Sequence, residues 1–198
     1  MLTALVVAAA YLIGSVSFAV VVSRAFGLPD PYEYGSGNPG ATNVLRTGNR
    51  RAALLTLLGD GIKGYVAVFL ARWLAARYGL PNWLPAAAAI AVFLGHLYPV
   101  FFHFRGGKGV STAAGIMFAL DWPVGLVLMV VWLTLAFGFR ISSLAALIAA
   151  VLMPVGLYYQ TGPSAATGAC LVIAVLLFWR HRANIRALLE GTERPIGR

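Results

Sequence analysis

The sequence predicts an all-α polytopic membrane protein of about seven transmembrane helices, some of them short, with the N-terminus outside and the C-terminus in the cytoplasm. Three observations carry that expectation. Of the 198 residues, 60% are hydrophobic and only 11% are charged, and the mean hydropathy of +0.82 exceeds what a water-soluble domain tolerates. Apolar runs cover residues 2–22, 52–71, 84–102, 110–120, 124–139, 141–159 and 164–179, and residues 1–198 read as a single integral membrane domain. These runs are continuously apolar and rich in Ala and Leu, unlike the alternating strands of a barrel. Finally, Arg24, Arg46, Arg50, Arg51, Arg105, Lys108, Arg140, Arg180, Arg182, Arg186, Arg194 and Arg198 fall on the odd-numbered connections and the tail. The even connections hold Arg72 and Arg77, so the positive-inside bias turns the odd ones toward the cytoplasm.

The first run lacks a basic leader and a small-residue cleavage site, which predicts a retained helix rather than a removed signal. After it comes Gly35-Ser36-Gly37-Asn38-Pro39-Gly40-Ala41-Thr42-Asn43-Val44-Leu45-Arg46, a polar loop suited to an anion. Its glycines leave backbone N–H groups open to close approach, Ser36, Asn38, Thr42 and Asn43 add donors, and Arg46 supplies a fork that grips two oxygens of one phosphate. In the second run Asp60 and Lys63 are three residues apart and share a helix face. Ionisable groups at that depth are costly unless paired or lining a polar cavity, so they read either as a structural ion pair or as an addition to the positive field of a phosphate site.

The third run closes, and the fourth opens, on the segment from Gly95-His96 to Ser111-Thr112. Its centre, Gly106-Gly107-Lys108-Gly109, is able to wrap amides around an anion that Lys108 neutralises, or to serve as a plain turn. It is not a nucleotide-binding P-loop, which needs a glycine where this chain has Phe102. The 110–120 run reaches only about 16 Å at 1.5 Å per residue, against a hydrocarbon core of roughly 30 Å. It is therefore a half-helix candidate, and five or seven crossings both leave the termini on opposite sides. Ser142 and Ser143 follow Arg140 and read as a helix N-cap on the cytoplasmic side, with Ser142 also a candidate substrate contact. Cys170, the only cysteine, lies in an apolar run and reads as packing. The tail continues His181-Arg182-Ala183-Asn184 and on to Glu193; on a continuing helix His181 and Asn184 share a face. An amphipathic juxtamembrane helix touching lipid headgroups is the simpler reading of that segment taken alone.

Several chemistries are excluded. The six acidic residues form close pairs only at Asp30/Glu33 and Glu190/Glu193, and the three histidines lack zinc-ligand companions, so no metal and no cofactor is expected. None of the histidines is followed five positions later by Asp; Phe101, Lys108 and Arg186 stand there, which removes the His-x-x-x-x-Asp acyltransferase signature. The Asp-rich signature of membrane phosphatidyltransferases is missing too. The net charge of +9 is explained by the positive-inside bias and anionic headgroups, with no soluble domain to bind nucleic acid.

Taken together, Ser36 to Asn43 with Arg46, the Gly95-His96 to Lys108-Gly109-Val110 segment, and His181 with Asn184-Ile185 and Gly191-Thr192-Glu193 resemble the bacterial acyl-phosphate glycerol-3-phosphate acyltransferases over the whole chain. Ala187 departs from the basic residue usual there. The resemblance implies transfer of a fatty acyl group from acyl phosphate to the 1-hydroxyl of sn-glycerol 3-phosphate, the first step of phospholipid synthesis, at the cytoplasmic face of the bacterial inner membrane. It also implies, as a partner, the soluble enzyme that makes acyl phosphate. On this reading Ser36, Arg46, Lys108, His181 and Asn184 carry the chemistry. Gly37, Asn38, Gly40, Thr42, Asn43, Asp60, Lys63, Gly106, Gly107, Ser142 and Glu193 are expected to hold substrate. The main rival is an organophosphate transporter, disfavoured by the one-sided placement of the polar clusters and by the lack of an internal repeat; a purely structural subunit leaves those clusters unexplained.

Overall fold

The computed structural model describes residues 1–196; Arg198, one of the tail cations, lies outside them. Every apolar run is helical, and among the described residues there is no strand. The first run breaks at Ser15–Ser17 into α1 (Leu2–Gly14) and α2 (Phe18–Ala25), bent by 44°. A short α3 (Ala41–Leu45) lies in the polar connection before α4 (Arg50–Tyr78). Asn49 opens α4 by accepting from the Ala52 amide at 3.0 Å, and Gly79, with φ of 61°, closes it in the left-handed conformation that favours glycine. Then follow α5 (Leu84–Leu97), extended by a 3₁₀ turn at Val100–Phe102, α6 (Val110–Leu120), α7 (Trp122–Phe139), α8 (Ser142–Thr161), α9 (Ala165–Arg180) and α10 (Arg182–Leu189).

Four segments are long and apolar enough to cross a membrane alone, or six if each of the bent pairs α1–α2 and α9–α10 is one span. The 110–120 run is the 11-residue helix α6, as short as its sequence indicates. Its C-terminal carbonyls have no intrahelical partner and would be costly in an apolar surrounding. Arg72 meets that need, donating to Ala119 O at 3.2 Å. Asp121 then caps α7 by accepting from Val124 N at 3.1 Å, and Ser164 caps α9 by accepting from Thr167 N at 3.2 Å. The serines at the start of α8 do not repeat this: Ile141 is the cap residue and makes no side-chain cap bond, so the N-cap expectation for Ser142 and Ser143 is corrected.

Glycine sets how the helices meet. Lipid is as apolar as Leu, so association depends on close packing, which small residues permit. A Cβ on Gly64 would overlap Thr112 O and one on Gly115 would overlap Gly61 O, which brings the α4 and α6 backbones together. In the same way Gly14 meets Val92 and Gly95 meets Tyr11 where α1 packs on α5. Phe93, Leu97, Ile116, Met117, Ile173 and Leu177 fill the core between α5, α6 and α9. The α2–α4 connection with α3, the α5–α6 connection and the α9–α10 elbow carry the polar sequence clusters.

Gly115→Ala should push α4 from α6 and destabilise the protein by about 1–3 kcal/mol. Gly168→Ala, at an open helical position with nothing within 4 Å, should be neutral or slightly stabilising. Thermal midpoints of the two variants in one detergent check the contrast; equal midpoints would remove the packing argument.

Candidate active site

The first polar loop is built around Asn43, not around a ligand. Its carboxamide oxygen accepts from the Ser36 amide at 2.9 Å, from Ser36 Oγ at 3.2 Å and from Arg46 Nη1 at 3.2 Å. Its nitrogen donates to Pro31 O at 2.9 Å and Tyr34 O at 3.2 Å, and the residue is 2% exposed. These bonds use its donors and its acceptor to fold the loop, where the sequence reading expected a substrate contact. Gly35 is obligatory beside it: its φ is 59°, and a Cβ there would collide with Asn43 Oδ1.

The second loop lies directly on the end of α5. The Gly107 amide donates to His96 O at 3.2 Å, a Cβ on Gly106 would overlap His96 O, and one on Gly107 would overlap His96 Nε2. Arg180 grips the same turn, donating to Gly107 O at 3.1 Å and Gly106 O at 2.7 Å. The turn's shape therefore follows from close packing on α5 and from this guanidinium.

The tail supplies a relay. Lys108 Nζ donates to Asn184 Oδ1 at 2.6 Å, and Asn184 Nδ2 donates to Glu193 Oε1 at 2.6 Å. Since an ammonium only donates and a carboxylate only accepts, the two ends fix which way the carboxamide points. Ser143 Oγ donates to the same Glu193 oxygen. Asn184 thus separates a cation from an anion that would otherwise neutralise it. Burial pushes the Lys108 ammonium below its ordinary value; Glu193 opposes that, while Arg46 and Arg180 add to it.

These segments enclose a cavity of about 610 Å³. Its lining includes Ser36, Gly37, Asn38, Gly106, Lys108, Asn184 and Glu193, so seven of the expected site residues, remote in sequence, meet in one place. Lys108, Arg105, Arg180 and Arg182 face it, against the single carboxylate of Glu193, a balance suited to a doubly charged phosphate. Tyr32 OH donates to Arg105 O, and the Arg105 guanidinium lies 5.0 Å over the Tyr32 ring, which clasps the first loop to the second.

Other expected residues stand elsewhere. Gly40 caps α3, Thr42 is exposed on that helix, and Arg46 is turned onto Asn43. Gly107 packs against His96 rather than lining the cavity. Ser142 is displaced by its neighbour: one residue turns a helix by about 100°, and it is Ser143 that reaches Glu193. His181 is 2% exposed and donates from Nδ1 to Leu177 O at 2.8 Å; that nitrogen carries the hydrogen, because a carbonyl only accepts. The helix does not continue through it: α9 and α10 meet there at 60°, so His181 and Asn184 do not share a helix face. Asp60 and Lys63 lie within the bundle, 3% and 4% exposed, paired at 2.7 Å in a contact that is ionic rather than a directed hydrogen bond. The sequence reading gave Arg180, Tyr32, Arg105 and Ser143 no role at the site, although Arg180 adjoins His181 and Ser143 adjoins Ser142.

A separate apolar crevice of about 250 Å³ between α1 and α4, lined by Leu5, Val6, Ala9, Ala10, Ile13, Ala67, Leu70 and Leu74, shares no residue with the polar cavity.

Comparisons with known proteins cover nearly the whole chain. A family model described as glycerol-3-phosphate acyltransferase matches residues 4–191. A glycerol-3-phosphate acyltransferase of Cupriavidus pinatubonensis is 59% identical over 189 residues, covering 96% of this chain and 94% of that protein. One of Thiobacillus denitrificans is 58% identical over 200 residues, covering 100% and 99%. Among solved structures, PlsY (YgiH), an integral membrane glycerol 3-phosphate acyltransferase, in its glycerol 3-phosphate form matches with a TM-score of 0.91 at 36% identity, covering 100% of this chain and 96% of that one. Its lysophosphatidic acid form matches with a TM-score of 0.89 at 35% identity, covering 98% and 95%. With a family model spanning nearly its whole length and relatives near 60% identity, the chain belongs to the glycerol-3-phosphate acyltransferase family.

Proposed function

We propose that this protein transfers a fatty acyl group from acyl phosphate to the 1-hydroxyl of sn-glycerol 3-phosphate, giving lysophosphatidic acid and inorganic phosphate at the cytoplasmic face of a bacterial inner membrane. The observation that carries the reading is the meeting of three sequence-remote polar segments in one cationic cavity. Both substrates bear phosphate, and Lys108, Arg105, Arg180 and Arg182 offer more positive charge than Glu193 removes. The cytoplasmic face follows from the distribution of basic residues. A soluble enzyme that makes acyl phosphate is the partner this reading requires.

An acyl phosphate is an activated mixed anhydride, so positioning and charge stabilisation do most of the work. The glycerol oxygen attacks the acyl carbon, the bond from that carbon to the phosphate oxygen breaks, and inorganic phosphate leaves. Glu193 is a poor base for the hydroxyl proton, since one of its oxygens already accepts from Asn184 and Ser143. A phosphate oxygen of the donor takes the proton instead, and Lys108 balances the charge gathering on the leaving group. Ser36 lies at the cavity wall with its hydroxyl donated to Asn43 Oδ1, and it bonds a phosphate oxygen by turning that one hydrogen from Asn43 to the phosphate. Arg46 acts on that wall through Asn43.

The first test supplies purified protein with glycerol 3-phosphate and, separately, acyl phosphate, acyl-CoA or acyl carrier protein. Lysophosphatidic acid is expected from acyl phosphate alone; product from either thioester donor but not from acyl phosphate would sink the donor assignment. Lys108→Ala is expected to raise KM for glycerol 3-phosphate about 10- to 100-fold, the range set by one charge-assisted hydrogen bond.

The pH dependence has a definite sign. Lys108 binds phosphate while protonated, so KM should climb on the alkaline side, at a pH below the ordinary lysine value of 10.5. Glu193→Gln removes the charge that favours the ammonium and should move that limb to lower pH, whereas Lys108→Arg should abolish it. KM measured against pH for the three enzymes checks this; a limb that moves to higher pH in Glu193→Gln contradicts the electrostatic account.

A further inference from the structure

We propose that His96 is a positioning residue: held by Asp60 and Thr112, it sets the Gly106–Lys108 turn and so presents the Lys108 ammonium to the cavity. This rests on the phosphate-handling role of that cavity. None of His96, Asp60, Lys63 or Thr112 lines it, yet their exposures are only 7%, 3%, 4% and 0%. Four polar side chains buried where apolar ones would pack more cheaply call for a specific task.

The geometry describes that task. Thr112 Oγ1 donates to Asp60 O at 3.0 Å, which uses its one hydrogen, because a carbonyl only accepts. The 3.2 Å contact between Thr112 Oγ1 and His96 Nδ1 is therefore donated by the imidazole, with the Asp60 carboxylate 3.6 Å from the same nitrogen. The opposite ring edge, Nε2, abuts Gly107, whose notional Cβ also lies 3.0 Å from Pro39 O of the first polar loop. His96 O takes the Gly107 amide at 3.2 Å. The turn preceding Lys108 thus rests on His96 twice, through its backbone and through its ring.

The same carboxylate governs the other loop. Lys63, bound to Asp60 at 2.7 Å, donates to Val16 O at 2.7 Å, a carbonyl at the break between α1 and α2. That elbow leads into the first polar segment. Asp60 therefore links the two loops whose relative placement shapes the cavity.

The test reads Kd for inorganic phosphate by titration of wild type, His96→Ala, Lys108→Ala, the double variant and His96→Gln in lipid nanodiscs, with thermal midpoints alongside. His96→Ala is expected to weaken binding about 10-fold in wild type and hardly at all in Lys108→Ala, because residues acting through one group are not additive. His96→Gln, whose terminal amide reaches the place of Nε2, should recover wild-type affinity within about 3-fold. Thr112→Val, nearly isosteric and without the hydroxyl that fixes the ring, serves if His96→Ala does not fold, with an expected loss of about 3-fold. Unchanged Kd in the folded alanine or valine variant, equal losses with and without Lys108, or no recovery in the glutamine variant overturns the proposal. Wild-type turnover with acyl phosphate is the control: phosphate binding that depends on His96 without turnover removes the proposed reaction and leaves this inference standing.

Discussion

A carboxylate inside an apolar helix bundle persists only with partners, and Asp60 gathers them from two directions. Lys63 approaches the carboxylate from its own helix and His96 from the end of α5, while Thr112, at the start of α6, bonds the backbone carbonyl of the same residue. Removing one partner from such a group leaves an uncompensated buried charge, a change that costs about 3–5 kcal/mol in comparable settings. The helices can bring these groups so close because Gly64 and Gly115 let α4 and α6 touch backbone to backbone. Everything at the polar end of the molecule is stacked on that meeting: the elbow of the first span, the glycine turn, and through them the cavity walls.

The second organising feature is an economy of charge. The cavity gathers cations without letting them be quenched internally. Arg180 bonds two carbonyl oxygens, Arg105 stacks on Tyr32, and Lys108 meets a carboxamide instead of a carboxylate. Asn184 bridges Lys108 and Glu193 while remaining neutral, so the ammonium keeps its charge for an incoming anion. Burial lowers the affinity of Lys108 for its proton, and a bound phosphate, like Glu193, would raise it.

Much of this was legible in the chain. The all-helical membrane class follows from hydropathy, and the short 110–120 run from its length. Convergence of the three polar clusters was expected, and Ser36, Lys108, Asn184 and Glu193 do share a cavity. Where an expected residue lies away from the cavity, one cause recurs. A polar residue in a glycine-rich motif serves either the ligand or the loop, and spacing does not say which. Asn43 and Gly107 serve the loop, whereas Asn38 and Gly106 face the cavity. Ser142 and Ser143 differ by one helical step, which is enough to give the bond to Glu193 to Ser143. His181 was placed on a continuing helix, but the chain bends there and buries it.

From sequence alone come the class, the helical segments, the charge asymmetry and the identity of the polar clusters, because hydrophobicity, periodicity and residue chemistry are local properties that each segment carries with it. What the tertiary fold decided is which member of each cluster faces the cavity, that Asn184 stands between Lys108 and Glu193, and that Asp60 ties two loops together. Those outcomes depend on helix rotation, on the bends near Ser15–Ser17 and His181, and on glycine-mediated contacts between helices distant in the chain. Such quantities arise only when the segments pack against one another, and no single stretch of residues encodes them.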